Sequence, residues 1–222
     1  MICDIYTESL LDVSHTADSE LFKKCRYPWE VLPKISDFIK SYGPTLPEDE
    51  YEQRGENIWI AKSARVFPSV YIAGPVIIGP DTEVRHCAFI RGSALIGAGV
   101  VVGNSTELKN VILFDNVQVP HYNYVGDSVL GYKAHMGAGS ITSNVKSDKS
   151  LVTIKQPEET LETGLKKFGA ILGDHVEVGC NSVLNPGTVV GRHSTVYPLS
   201  MVRGVVPHNS IYKERNSVVE KL

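Results

Sequence analysis

Ile72-Ala73-Gly74-Pro75-Val76-Ile77-Ile78-Gly79-Pro80-Asp81-Thr82-Glu83-Val84-Arg85-His86-Cys87-Ala88-Phe89-Ile90 is the stretch that decides the architecture. Every sixth residue in it is aliphatic: Ile72, Ile78, Val84 and Ile90. The phase runs back to Val66 and Ile60 and forward through Ile96, Val102, Leu108 and Phe114. Hydrophobic residues make up 42% of the chain, so ten consecutive hits have a chance probability on the order of 10⁻⁴. The next position is often small, as in Ala61, Ala73, Gly79, Gly97 and Gly103. The phase slips near Pro120 and recovers at Val125-Gly126, Leu130-Gly131 and Met136-Gly137. A second run follows through Leu172, Val178, Leu184, Val190, Val196 and Val202.

A helix repeats every 3.6 residues and a long strand every 2, so neither explains a period of six. A short strand and a tight turn, repeated so that equivalent residues stack, does explain it. The repeated aliphatic residue then points inward and the small one permits the turn. The pattern resembles the left-handed parallel β-helix of hexapeptide-repeat acyltransferases, in which three hexapeptides make one triangular coil. That resemblance implies an all-β solenoid over residues 57–210, with residues i and i+18 stacked about 4.8 Å apart.

Residues 1–56 lie outside the repeat. Val31, Leu32, Ile35, Phe38, Ile39 and Tyr42 trace an apolar helix face, with Pro33 in its first turn and Gly43 closing it. Pro44 to Glu50 reads as a linker. Residues 144–168, rich in Lys, Glu and Ser, read as a loop ejected from the solenoid, and 211–222 as a tail. The formal net charge of −3 and the pI of about 6.2 argue against a nucleic-acid partner. Mean hydropathy is −0.06, and no apolar run is long enough for a membrane span. The N-terminus lacks the basic and apolar regions of a secretory signal. Cysteines at 3, 25, 87 and 180 suit reduced thiols in a cytoplasmic protein. The spacing of the seven histidines gives no expectation of a metal site.

Arg91 and Lys109 are 18 apart and so stack on adjacent rungs, two like charges that require compensation. A bound anion such as phosphate between them supplies it, or the side chains splay into solvent. His121 stands where the repeat loses register, and an imidazole there is a candidate general base or a residue packed at a corner. Gly137-Ala138-Gly139 is a turn whose backbone N–H groups can meet a thioester oxygen as it becomes an oxyanion.

The stretch from Arg91 to Asn144 is also similar to the acetyltransferase domain of the bifunctional glucosamine-1-phosphate acetyltransferase/N-acetylglucosamine-1-phosphate uridyltransferase family. The matching residues are Arg91, Asn104-x-x-Glu107-x-Lys109, His121-x-x-Tyr124-x-Gly126-Asp127 and Gly137-Ala138-Gly139-x-Ile141-Thr142-x-Asn144. Lys166 to Asp174 looks closer to archaeal sugar-phosphate nucleotidyltransferases that carry the same solenoid. The resemblance implies that His121 deprotonates the sugar amine and that Arg91 and Lys109 hold the sugar phosphate. It implies further that Tyr124 and Asn144 line the acceptor pocket. Ala138 N–H would meet the thioester oxygen, with Cys180 near the coenzyme A arm. Val145 and His135 depart from the family pattern, standing where it has Tyr and Asn.

The expectation is an acetyl-CoA-dependent N-acetyltransferase of an amino-sugar phosphate, built as a homotrimer with sites between subunits. Pyrophosphorylase activity needs a Rossmann-like domain that 56 residues cannot hold. The non-enzymatic alternative is a sugar-phosphate-binding trimer that has lost turnover.

Overall fold

The computed structural model describes residues 4–17, 19–156, 159–214 and 217–220. Met1, Ile2 and Cys3, which entered the readings of the N-terminus and of the thiols, lie outside the described residues. So do 157–158 of the expected loop and 215–216 and 221–222 of the expected tail. The chain winds into a parallel β-solenoid of about 8 turns with three faces.

The first face is built from Val76–Ile78, Ala94–Ile96, the later halves of Glu107–Leu113 and Tyr124–Leu130, then Ala170–Leu172, Thr188–Val190 and Val205–Val206. The second runs from Arg65–Val66 through Glu83–Val84, Val101–Asn104, Gln118–His121, His135–Met136, Glu177–Val178 and Thr195–Val196 to Ser210–Glu214. The third stacks Tyr71–Ile72, Phe89–Ile90, the first halves of the two long strands, Ile141–Thr142, Val183–Leu184 and Met201–Val202.

The three corners are visible in the backbone. Positive φ recurs in one column at Ser69, Cys87, Ser105, Tyr122, Gly139, Asn181 and Leu199. A second column holds Asp81, Gly99, Asn116, Lys133, His175, His193 and Asn209, and a third holds Ser93, Asn110, Asp127, Gly187 and Gly204. A single left-handed residue redirects the chain from one face to the next, and short polar residues tolerate that conformation best. The sixth-residue positions from Ile78 to Phe114 and from Leu172 to Val202 are all buried and fill the prism, whereas Val66 and Ile72 at its open end are half-buried.

Coil length is not uniformly 18. Ile90 pairs with Leu108 at that spacing, but Val102 pairs with Val119 and Leu108 with Val125, each 17 residues on. The phase slip near Pro120 is this one-residue shortening. It brings Pro120 so close that a Cβ on Gly103 would lie 1.6 Å from the Pro120 carbonyl oxygen. Across the ejected loop, His135 pairs with Glu177, 42 residues on.

The loop is more ordered than a solvated excursion. Thr153–Lys155 and Thr160–Glu162 form an antiparallel pair, and Val152 and Ile154 are buried. Phe168 N–H donates to Asn144 O at 3.0 Å and closes its base. The boundary at 210 does not end the sheet either. Ser210–Glu214 pairs with Thr195–Val196, and Ser217–Glu220 folds back on it, so residues expected as a tail cover the last rung.

The apolar N-terminal run splits in two: a 3₁₀ segment Pro28–Lys34, then an α-helix Ile35–Tyr42. Pro33 lacks the N–H group that an α-helix starting at Pro28 would use, whereas Pro28 itself suits a first position. Gly43 is right-handed (φ −49) and not a left-handed stop. Glycine is required there because a Cβ would lie 2.3 Å from the Trp59 ring.

This segment covers the first face. The helix lies against Ala94–Ile96 and Glu107–Leu113, and the 3₁₀ segment against Tyr124–Leu130. Phe22 meets Phe114 edge-on at 5.4 Å, and Trp29 stacks on Phe168 at 5.7 Å. Consequently Ile77, Leu95, Ile112, Val129 and Ile171 are buried although they point away from the prism.

Candidate functional site

Two clusters of the expected residues form, on either side of the third face. The first gathers where that face meets the third corner. Leu108 sits one rung below Ile90, so Lys109 stacks under Arg91. The like charges are each met by a carboxylate of the chain. Arg91 Nη1 lies 2.7 Å from Glu107 Oε1, and this pairing raises the Arg91 guanidinium above its ordinary range. Lys109 Nζ lies 2.9 Å and 3.1 Å from the two oxygens of Asp127.

Asp127 is the hub of this cluster, and its role was not read from the sequence. Its side chain is 4% exposed. It accepts from Lys109 Nζ, from Asn110 Nδ2 at 2.9 Å and from Asn144 Nδ2, while its carbonyl accepts from Gly169 N–H at 2.8 Å. A carboxylate this deep is stable only when its lone pairs are taken up in this way. Asn144 Nδ2 also donates to Tyr124 Oη at 3.2 Å. Burial, then the negative charges of Asp127 and Glu107, push the Tyr124 phenol above its usual range, so it stays neutral at physiological pH. Glu107 faces Tyr124 in register and thereby links Arg91 to the rest. Arg91, Lys109, Tyr124 and Asn144 are thus brought together.

The second cluster is a column at the first corner. Gln118 pairs with His135, which places His121 above Ala138, and Gly139 N–H donates to His121 O at 3.0 Å. One rung further, Asn181 N–H donates to Ala138 O at 2.8 Å, so Cys180 lies next in the column. Its thiol is exposed. His121 is exposed too, and among the described residues its imidazole has no hydrogen-bonding, ionic or ring partner. It makes no contact with Arg91 or Lys109. From His121 through Tyr124 to Asp127 the chain crosses the whole third face, and six residues of strand span about 20 Å. Adjacency of all three groups within one chain therefore does not occur.

The turn at Ala138 lacks a side-chain cap that two turns of the second corner possess. At Gly97-Ala98, Asp115 Oδ1 accepts from Ala98 N–H at 2.7 Å, and at Gly131-Tyr132, Asp174 Oδ1 accepts from Tyr132 N–H at 2.8 Å. Below Gly137-Ala138, Cys180 takes the place of the aspartate, with its N 2.7 Å and its Sγ 3.1 Å from where a Gly137 Cβ would lie. Among the described residues no acceptor is within hydrogen-bond distance of Ala138 N–H.

His135 Nδ1 lies 2.7 Å from Glu177 Oε2 on the second face. Val145, the other departure, is exposed at the start of the loop.

The family model described as the GMPPB C-terminal domain matches residues 72–219. The chain belongs to this family. Similar full-length proteins include the "bifunctional protein GlmU" of Methanococcus vannielii, 32% identical over 198 residues, covering 87% of this chain and 47% of that protein. The "bifunctional sugar-1-phosphate nucleotidylyltransferase/acetyltransferase" of Sulfurisphaera tokodaii is 28% identical over 190 residues, with 84% and 47% covered. The chain spans about half the length of these relatives. Among solved structures, a putative acetyltransferase of Bacillus cereus matches with a TM-score of 0.41 and 20% identity, over 73% of this chain and 77% of that one. No helix among the described residues is long and apolar enough to cross a membrane.

Proposed function

We propose that the chain is an acetyl-CoA-dependent N-acetyltransferase acting on an amino-sugar phosphate, with glucosamine-1-phosphate as the first candidate. The observation that carries this reading is the uncapped N–H of Ala138, stacked directly beneath His121. Attack by the sugar amine on the thioester carbonyl forms a C–N bond and puts negative charge on the carbonyl oxygen. An N–H already stripped of any protein acceptor is arranged to receive that charge. His121 takes the amine proton, and the C–S bond then breaks to release the thiol of coenzyme A. Cys180, one rung further on, borders the path of the pantetheine arm.

Tyr124 and Asn144, held in place by Asp127, line the acceptor side, with Arg91 and Lys109 at its phosphate end. Because a face separates His121 from Lys109, the reading requires a homotrimer in which one subunit's first corner meets another's third face. The exposed apolar residues Tyr71, Phe89 and Met201 on that face support such contacts. The relatives named as acetyltransferases support the reaction class.

His121→Ala is expected to lower kcat by about 10²–10⁴, measured as thiol release from acetyl-CoA over a panel of amino-sugar phosphates. Unchanged turnover removes the base from His121. A second reading, sugar-phosphate binding without turnover, is favoured by Val145 and His135, which stand where the family pattern has Tyr and Asn. Saturable binding of the panel with no thiol release from wild-type protein establishes it in place of the first.

A further inference from the structure

A recess of about 430 Å³ opens where the second corner meets the second face, lined by Asn116, Gln118, Lys133, His135, His175 and Glu177. It has a repeating construction. On three successive rungs a left-handed corner residue (Asn116, φ 60; Lys133, φ 57; His175, φ 58) is followed two positions on by a face residue. Register pairing stacks those face residues as Gln118, His135 and Glu177. Sequence neighbours and rung neighbours therefore converge on one concavity.

Its polar groups are largely unspent. Glu177 holds the His135 ring through Nδ1 at 2.7 Å, leaving Nε2 as the ring's other polar atom. His175 stacks on His193 at 4.8 Å and meets Tyr132 edge-on, which fixes its plane. Lys133 Nζ lies 5.0 Å from the Tyr132 ring centroid and, among the described residues, has no carboxylate within ion-pair distance. The side-chain carboxamides of Asn116 and Gln118 have no protein hydrogen-bond partner among the described residues. Two carboxamides, an ammonium with no ion-pair partner and an imidazole held by one nitrogen to the Glu177 carboxylate form a dense set of hydrogen-bonding groups. Among the described residues no three His, Cys, Asp or Glu side chains are placed to hold a metal ion, which directs attention to an organic ligand.

We propose that this recess is a second binding site, for the phosphate ester of a polyhydroxylated molecule. Lys133 meets the phosphate, and Gln118 and His135 meet hydroxyls. The site is separate from the Arg91–Lys109 cluster, which lies beyond a different corner, and it does not depend on the acetyl-transfer reading. His121 is three residues after Gln118 on the same strand, about 10 Å away, so an occupant of the recess lies within a ligand's length of the Ala138 column.

The test is a titration of the full chain, with carbon-13 NMR of the histidine imidazoles and with glucose 1-phosphate, glucose, inorganic phosphate and UMP as separate probes. The expected result is a saturable shift of the His135 and His175 signals with glucose 1-phosphate. Glucose alone is expected to act much more weakly. Lys133→Ala and, independently, Gln118→Ala should each weaken the apparent affinity, the former by about tenfold or more through loss of a charge-assisted contact. Stronger binding of UMP than of glucose 1-phosphate keeps the site and assigns it to a nucleotide phosphate. Absence of any saturable shift at millimolar probe, equal response to glucose and glucose 1-phosphate, or a response abolished by Arg91→Ala overturns the proposal. Failure of thiol release leaves this readout untouched, so the two readings fall separately.

Discussion

Asp127 shows how much one residue carries in this fold. It turns the third corner in a left-handed conformation (φ 47), and its buried carboxylate gathers Lys109, Asn110 and Asn144. Asp127→Asn keeps the side chain's shape and its tolerance of that conformation, but it replaces one acceptor with a donor and removes the charge opposite Lys109. We expect a loss of about 1–3 kcal/mol, read as a lower urea midpoint at unchanged slope, together with a raised KM for any phosphorylated acceptor. A midpoint equal to wild type would mean that the network does not hold the corner. The motif containing Gly126-Asp127 was legible in the sequence, whereas the function of the aspartate was not. Its partners Lys109 and Asn110 lie on the rung before it and Asn144 on the rung after it, and no local pattern joins them.

At the scale of elements, one buried carboxylate joins the N-terminal segment to a corner of the solenoid. Asp174 Oδ2 accepts from Asp12 N–H at 2.8 Å and lies 3.0 Å from Arg192 Nη2, while Oδ1 caps Tyr132. The Asp174 N–H in turn donates to Leu10 O at 3.1 Å. Burial raises the Asp174 carboxyl above its ordinary 3.8, against the opposing pull of those hydrogen bonds and of Arg192. A raised carboxyl means that the folded chain binds the proton more readily than the unfolded one. Its contribution is therefore complete below about 3.8 and is lost as pH rises through the raised value. Asp174→Asn lacks this titration. The stability of wild type relative to the variant, measured by denaturation from pH 7 down to pH 4, should increase as pH falls, and a difference that shrinks contradicts the assignment. Because Asp174 belongs to a corner column and Asp12 to the appended segment, their union could not be read from either stretch alone.

For the whole molecule, the three faces have three different fates. The first is buried under the N-terminal segment, the second carries the His135 recess, and the third exposes Tyr71, Phe89 and Met201 at 61%, 39% and 44%. We expect sedimentation equilibrium to report a trimer and the double variant Tyr71→Glu, Phe89→Glu to shift it toward monomer with the β-sheet circular dichroism spectrum retained. A monomeric wild-type protein would remove the intersubunit site from the proposed function.

The six-residue period was enough to establish the solenoid and its inward residues, and with the three-hexapeptide coil that the resemblance implied it also stacked Arg91 over Lys109. Each of these follows from a local repeat and from the rule that parallel rungs pair like positions. The triplets Val76-Ile77-Ile78, Ala94-Leu95-Ile96 and Ala170-Ile171-Leu172 even record, in their unbroken hydrophobicity, that one face is covered on both sides. What covers that face, which carboxylates neutralise Arg91 and Lys109, and why Ala138 N–H is free were decided only by the tertiary structure. Those outcomes depend on coil lengths of 17, 18 and 42 residues. Coil length sets which distant side chains become neighbours, and it is a property of the wound chain, not of any six residues within it.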